Sequence, residues 1–294
     1  VGGSLEFSRA IERRYLDLGG EIDYKARVEN ILVENDCAVG VRLAGGSEHR
    51  ADTVISAADG HATIFDMLEG KYADAKIRDR YKNKPIFEPL VQVSLGIASE
   101  LEGEPQTIMF PLASPIEVAG VKHHRMGVVN HRFDPVQMPE GKTVLIATFT
   151  TTYAYWEELY RDPERYRAEK QRIADAVVAA VEGRFPAIAG RVEMVDVATP
   201  VTYKRYTNNW QGSFEGWLLT TGNMGESMAR GMDKTLPGLD NFFMIGQWVM
   251  PGGGLPPRGP VRTRCHPDHL PQGQTPLHHQ RSLDQSMRTR PQEV

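Results

Sequence analysis

A short apolar strand running into a glycine-rich turn is the part of this sequence best suited to chemistry. Asn241-Phe242-Phe243-Met244-Ile245 ends on Gly246, continues through Gln247-Trp248, and leads into Pro251-Gly252-Gly253-Gly254-Leu255-Pro256-Pro257. A glycine at the end of a buried strand lets main chain approach a bound pyrophosphate or polyol chain, because no Cβ stands in the way. A Gly-rich turn that opens a helix then aims free N–H groups, and the positive end of the helix dipole, at any group that gathers negative charge. Three glycines alone say little; the strand before them gives the pattern its weight.

A second group of residues is aromatic. Thr199-Pro200 through Arg205-Tyr206-Thr207 reads as a strand, followed by an aromatic, Gly-rich loop that includes Gly212-Ser213-Phe214-Glu215-Gly216-Trp217. Trp210, Phe214 and Trp217 have the size and spacing to line a long apolar pocket, and equally to pack a core. No Ser/His/Asp or Cys/His arrangement for nucleophilic catalysis stands out. Cys265-His266-Pro267-Asp268-His269 has the residue types of a metal site. It falls in 258–294, which contain no Ile, Phe, Tyr or Trp and four of the nine histidines. Such a stretch cannot bury much apolar surface and reads as disordered, so no metal is expected.

The elements that must position these residues follow from periodicity. Residues 4–18 predict a helix capped by Ser4 and stopped at Gly19-Gly20, with Leu5, Ile11, Tyr15, Leu16 and Leu18 roughly on one face. Short strands are expected at Glu21–Tyr24, Arg27–Glu34 and Ala38–Leu43, and Asp52–Ala57 reads as a strand buried on both faces. Further on, strands are expected at Leu90–Ala98, Thr107–Leu112, Gly127–Asn130, Thr143–Thr151 and Met194–Val197. One long helix, from about Pro163 to Gly183, carries Ile173, Val177, Val178 and Val181. A several-stranded sheet carrying helices is the natural architecture.

Bulk properties narrow the function. With 294 residues, 40% hydrophobic and 24% charged, the chain is long enough for a substantial core. Its net charge of -4, with no basic cluster interleaved with aromatics, argues against nucleic acid. Two cysteines, Cys37 and Cys265, cannot form a disulfide framework, so a reducing compartment, the cytoplasm, is expected. There is no apolar run long enough to span a bilayer.

Three passages together resemble one family. The first is Gly2-Gly3-Ser4 with its helix, Gly40-Val41-Arg42-Leu43, and Ala51-Asp52-Thr53-Val54-Ile55-Ser56-Ala57-Ala58-Asp59. The second is the Thr199–Trp217 passage, and the third is Gly238-Leu239-Asp240-Asn241 through Gly246 to Pro251-Gly252-Gly253-Gly254-Leu255-Pro256. This order is similar to the later part of FAD-dependent oxidoreductases of the phytoene desaturase, carotenoid isomerase and retinol saturase type. The resemblance implies a mixture of α/β and α+β structure: a partial FAD-binding domain of the glutathione-reductase kind with an inserted mixed-sheet substrate domain. Residues 1–60 and 236–257 would belong to the FAD-binding domain, 61–235 to the substrate domain, and 258–294 to a tail.

The resemblance also implies site residues. FAD would be met by Val28 near its adenine, by Ser56 and Ala57 at a strand end, and by Gly246, Gln247, Gly253, Gly254 and Leu255. Trp210, Phe214, Trp217 and Trp248 would line the substrate pocket, with Gln247 and Trp248 the side chains nearest the flavin. The substrate would be a long apolar isoprenoid undergoing hydride transfer at C–C bonds, with peripheral membrane contact compatible with such a substrate. No catalytic acid or base is identified. An amine-oxidase-like flavoprotein and a non-catalytic fragment are the rival readings.

Two departures qualify this. The fingerprint G-x-G-x-x-G is absent, so the chain by itself is expected to bind FAD poorly. After Pro257 the family continues with a helix carrying Ser-Gly-Arg, whereas this chain reads Arg258-Gly259-Pro260-Val261. With suitable codons a one-base shift restores that Ser-Gly-Arg, so a frameshift near codon 258 is expected.

Overall fold

A computed structural model describes residues 3–133, 138–222 and 233–250, all within one compact unit, Val1–Gly254. The Gly252–Leu255 turn, Cys265-His266-Pro267-Asp268-His269 and the whole of 258–294 lie outside the described residues.

Two apolar cores organise what is described. The larger belongs to a five-stranded antiparallel sheet in the order β6-β7-β8-β5-β9, made of β5 (Leu90–Ile97), β6 (Thr107–Val118), β7 (Val121–Asn130), β8 (Thr143–Thr150) and β9 (Val192–Ala198). Burial alternates residue by residue along β5, so Val91, Val93, Leu95 and Ile97 all face one side. Helix α4 (Pro163–Arg184) covers that side with Ile173, Ala174, Val177 and Val181, spaced as one helical face. It starts where expected: Pro163 needs no N–H partner at the first position, and the Asp162 carboxylate accepts from Glu164 and Arg165 N–H, both at 3.1 Å. Helix α3 (Tyr153–Tyr160) buries Trp156, whose indole N–H donates to Thr151 Oγ1 at 2.9 Å.

The smaller core collects the segments that carry the predicted cofactor residues. Strands β1 (Val28–Glu34), β2 (Cys37–Leu43) and β3 (Glu48–Arg50) form an antiparallel sheet, while β4 (Val54–Ser56) pairs in parallel with β10 (Phe242–Met244). Ile31, Val54, Phe242 and Met244 pack there with Ile64, Leu68 and Tyr81. Those last three come from the π-helical turn Ala62–Met67, the residue after it, and helix α2 (Ala75–Asn83).

Several expectations need correction. Glu21–Tyr24 forms no strand; the chain leaves α1 (Gly3–Asp17) through Gly19 at φ 86° and runs irregularly to β1. Strand β4 is covered on one face only: Val54 is buried in the smaller core, whereas Ile55, pointing to the opposite face, is 52% exposed. The reading of Thr199–Thr207 as a strand is overturned by helix α5 (Pro200–Thr207). Pro200 supplies the fixed φ of a first helical residue, and Thr199 N–H donates to Thr202 Oγ1 at 3.2 Å in the manner of a capping box. Strand β6 runs on past Leu112 to Val118, absorbing its two prolines in a register shift between Pro111 and Ile116. The predicted helix α1 is present, but none of its residues is buried, and Leu5, Ile11, Tyr15 and Leu18 stand in solvent.

Candidate functional site

The parallel pair supplies the frame. In an open parallel sheet, ligands bind beyond the carboxyl ends of the strands. Here those ends are Ser56–Ala57 and Ile245–Gly246, joined by Ile245 N–H donating to Ser56 O at 2.9 Å. Ala57 is exposed. Gly246 holds φ 90°, and a Cβ built on it would meet no described atom within 4 Å, so there is open space against its backbone. The Ser56 hydroxyl is engaged inside the fold, 2.8 Å from Thr63 Oγ1. Val28 stands half-buried at the start of β1, on the other sheet.

Just past β4 the chain makes a buried anchor. Asp59 is 5% exposed; its two carboxylate oxygens accept from Ala62 N–H at 2.8 Å and from Trp210 N–H at 2.9 Å. One short side chain thus ties the end of a cofactor-side strand to a tryptophan 151 positions further along the chain. Burial pushes the Asp59 carboxyl above its usual range, partly offset by these backbone donors.

Trp210 is held from its own side as well. Asn208 and Gln211 flank it with φ of 56° and 53°, a left-handed conformation uncommon for such residues. Gly212 also has positive φ, and any side chain there would collide with Pro200 O. Such a turn persists only where its surroundings over-determine it.

Around this anchor the aromatic rings close. Tyr81 is central: its ring lies 5.3 Å from Trp210, 4.9 Å from Trp217 and 6.2 Å from Trp248. His61 stacks on Trp210 at 5.2 Å with an interplanar angle of 7°. Burial holds the His61 imidazole below its usual pKa, with Asp66 and Asp59 opposing and Lys204 adding to the effect. Gly60 is what lets the cluster close, since a Cβ there would sit 2.5 Å from Tyr81 Oη and 2.9 Å from Trp248 Cβ. Polar bonds fix the outer members: Trp217 Nε1 donates to Trp248 O at 3.0 Å, and Gln247 Nε2 donates to Asn209 Oδ1 at 3.0 Å.

The four aromatic residues picked from the sequence therefore divide. Trp210, Trp217 and Trp248 meet in one cluster, with Trp217 and Trp248 deep in the smaller core. Phe214 does not join them; it is 38% exposed and packs edge-on against Phe87. Gly253, Gly254 and Leu255 lie outside the described residues. Asp59, Gly60, His61 and Tyr81 were not singled out from the sequence. The available signal was Asp59-Gly60-His61 directly after an apolar strand, a place where a buried carboxylate and a close-packed glycine have mechanical meaning.

Two cavities flank the cluster. One, of about 170 Å³, has Tyr81, Trp248, Met244 and Leu236 in its wall. The other, of about 540 Å³, lies on the Trp210 side and is bounded by Ile86, Pro89, Tyr153, Glu157 and Lys204. Among the described residues no cluster of His, Cys, Asp and Glu could hold a metal ion, and no helix is long and apolar enough to cross a membrane.

A parallel strand pair ending in an open glycine thus stands beside an aromatic cluster that includes Trp248, two residues further along the chain. Residues 1–256 match the family of flavin containing amine oxidoreductases, and the chain belongs to that family. FAD is the cofactor of this family, and within it the similarity is to carotenoid isomerases and desaturases. The chain is 27% identical over 264 residues to prolycopene isomerase of Daucus carota, covering 87% of this chain and 41% of that protein. It is 26% identical over 277 residues to the neurosporene-forming phytoene desaturase of Cereibacter sphaeroides, covering 87% and 50%. The chain thus spans about two fifths to half the length of the curated relatives it matches. An oxidoreductase from Methanosarcina mazei superposes with a TM-score of 0.47 at 17% identity, over 82% of this chain and 48% of that one.

Proposed function

We propose that the chain is the later portion of an FAD oxidoreductase acting on C–C bonds of a long apolar isoprenoid of carotenoid or retinoid type. The observation that carries this is the tie from β4 through Asp59 to Trp210, which sets an aromatic wall at the carboxyl end of the parallel pair. Backbone at Ser56–Ala57 and Gly246–Gln247 would hold FAD, with Val28 toward the adenine and Gly253, Gly254 and Leu255 completing the cradle. The buried, unpartnered indole N–H of Trp248, among the described residues, is a donor that such a polar ligand could use. When bound, FAD supplies hydride transfer chemistry. The protein's part is to orient the polyene against Trp210, Trp217 and Trp248 and to keep water from it, with Phe214 at the rim. Asp59 acts as a positioning residue, holding Trp210 where the substrate would lie.

In this reading 61–235 carry the substrate side, as a domain inserted in the FAD-binding one, and the enzyme touches the membrane in which such substrates dissolve. The chain by itself takes up little FAD. The exposed face of Ile55 supports that, since two parallel strands alone make a poor dinucleotide platform.

Titration of the purified chain with phytoene in detergent, followed by tryptophan emission, tests the reading. Saturable quenching that weakens in Trp210→Phe is expected. Response to benzylamine instead of phytoene would favour an amine substrate and overturn it.

A further inference from the structure

Gln247 directly follows the open Gly246, and its side-chain amide is held by a chain of hydrogen bonds that begins in the loop after α5. Ser213 is fully buried there, with its hydroxyl 2.7 Å from Phe87 O and 2.6 Å from Glu215 O. Its carbonyl oxygen accepts from Asn209 Nδ2 at 3.1 Å, and Asn209 Oδ1 accepts from Gln247 Nε2 at 3.0 Å. Asn209 is itself buried, so neither end of its amide can exchange its partner for water without cost. Gly216 lets the loop close on this segment, since a Cβ there would sit 2.5 Å from Gln247 O.

The direction of these bonds follows from one group that cannot change roles. A carbonyl oxygen only accepts, so Asn209 must turn its NH2 to Ser213 and its oxygen to Gln247. Gln247 must then turn its own NH2 to Asn209. Its Oε1, without a partner among the described residues, is left as an acceptor on the residue next to the open glycine. That polarity sorts the parts of the flavin half of FAD. Pyrophosphate oxygens and ring carbonyls only accept, and facing Oε1 they would leave both oxygens unpaired. Ribityl hydroxyls and the ring N3–H donate, and would pair with it.

We infer that Asn209 is a positioning residue: pinned by Ser213, it sets the Gln247 amide so that Oε1 accepts from a ribityl hydroxyl or the ring N3–H and turns the pyrophosphate away. This rests on the reading that FAD lies at the Gly246–Gln247 strand end and specifies which part of it lies there.

The test is the fluorescence anisotropy of riboflavin as the full chain is added to high concentration. Three analogues run beside it: 3-methylriboflavin lacks the N3–H, riboflavin tetraacetate lacks the hydroxyls, and the 3-methyl tetraacetate lacks both. One neutral hydrogen bond predicts that riboflavin binds roughly fivefold tighter than the analogue without either donor. The single-donor analogue that binds as weakly as that one names the donor used. Gln247→Leu should abolish the preference, which separates the hydrogen bond from the bulk of the acetyl groups. Asn209→Leu should reduce the preference while affinity for the donorless analogue holds steady, a split that a merely structural role would not produce. Thermal melts by circular dichroism establish which variants fold, and Gln247→Leu, at a half-buried position, keeps the test open if Asn209→Leu does not. Inorganic pyrophosphate should leave riboflavin bound. Equal affinities in the wild type, a preference that survives Gln247→Leu, or displacement by pyrophosphate would each overturn the acceptor proposal alone. An unchanged preference in folded Asn209→Leu would overturn the part given to Asn209. Failure of every flavin to bind would overturn the placement of FAD at this strand end as well.

Discussion

At the residue scale the site turns on Asp59. A carboxylate gives each of its two backbone donors an acceptor, whereas an asparagine gives one acceptor and turns an NH2 toward the other N–H. Asp59→Asn should therefore destabilise the chain by about 1–3 kcal/mol and loosen Trp210, read as a lower urea midpoint with altered tryptophan emission. An unchanged midpoint would mean that the anchor bears no strain.

The pH dependence has a definite sign. Because burial raises the Asp59 pKa, the folded state holds that proton more tightly than the unfolded one. Its contribution to stability falls as pH climbs from the ordinary carboxylate value through the raised one, then levels off, and Asp59→Asn should remove that slope. His61 works in the other direction. Burial lowers its pKa, so the stability it contributes is present above the ordinary imidazole value and lost as pH falls through the lowered one. His61→Phe keeps a ring on Trp210 but cannot titrate, so its melting temperature should vary less than wild type below neutral pH. Parallel wild-type and variant curves would count against this.

At the element scale two helices that look alike in sequence behave differently. Helix α4 and helix α1 both carry an apolar stripe, yet α4 buries Ile173, Val177 and Val181 whereas α1 buries nothing. Ile173→Ala should cost about 2–5 kcal/mol, while Ile11→Glu should stay within about 0.5 kcal/mol of wild type, both from denaturant melts. A comparable loss from Ile11→Glu would show that α1 is packed in solution.

The same contrast explains what could be read in advance. Helix α4 is legible almost to the residue because its starting Pro163 and its apolar stripe are both local signals. Strands β5 and β8 are legible as short apolar runs set between Pro- and Gly-containing loops, and the alternating burial along them appears only in the fold. Helix α5 reads as a strand from its residues, which have modest helix preference; what decides for a helix is the Thr199-Pro200 start, a cap followed by a proline at the first helical position. Whether a stripe finds a partner, as in α1 or at Ile55, depends on the tertiary surroundings and leaves no trace in periodicity.

At the scale of the whole molecule the candidate site is assembled from residues 59–61, 81, 210–217 and 248, brought together by the smaller core. Glycine and tryptophan positions pointed to its edges, Gly246 and Trp210, because a strand-end glycine and a clustered aromatic have meaning on their own. Its centre, Tyr81 packed on three tryptophans, was invisible because that residue's role exists only through contacts made far away in the chain.

In the proposed function an apolar chain lies against the wall that Asp59 fixes beside the parallel strand ends. Hydrogen–deuterium exchange with and without saturating phytoene tests it most directly. The account predicts slowed exchange confined to residues 59–65, 151–157 and 208–217. Protection confined to the exposed face of α1, or none at these segments while phytoene is bound, would contradict it.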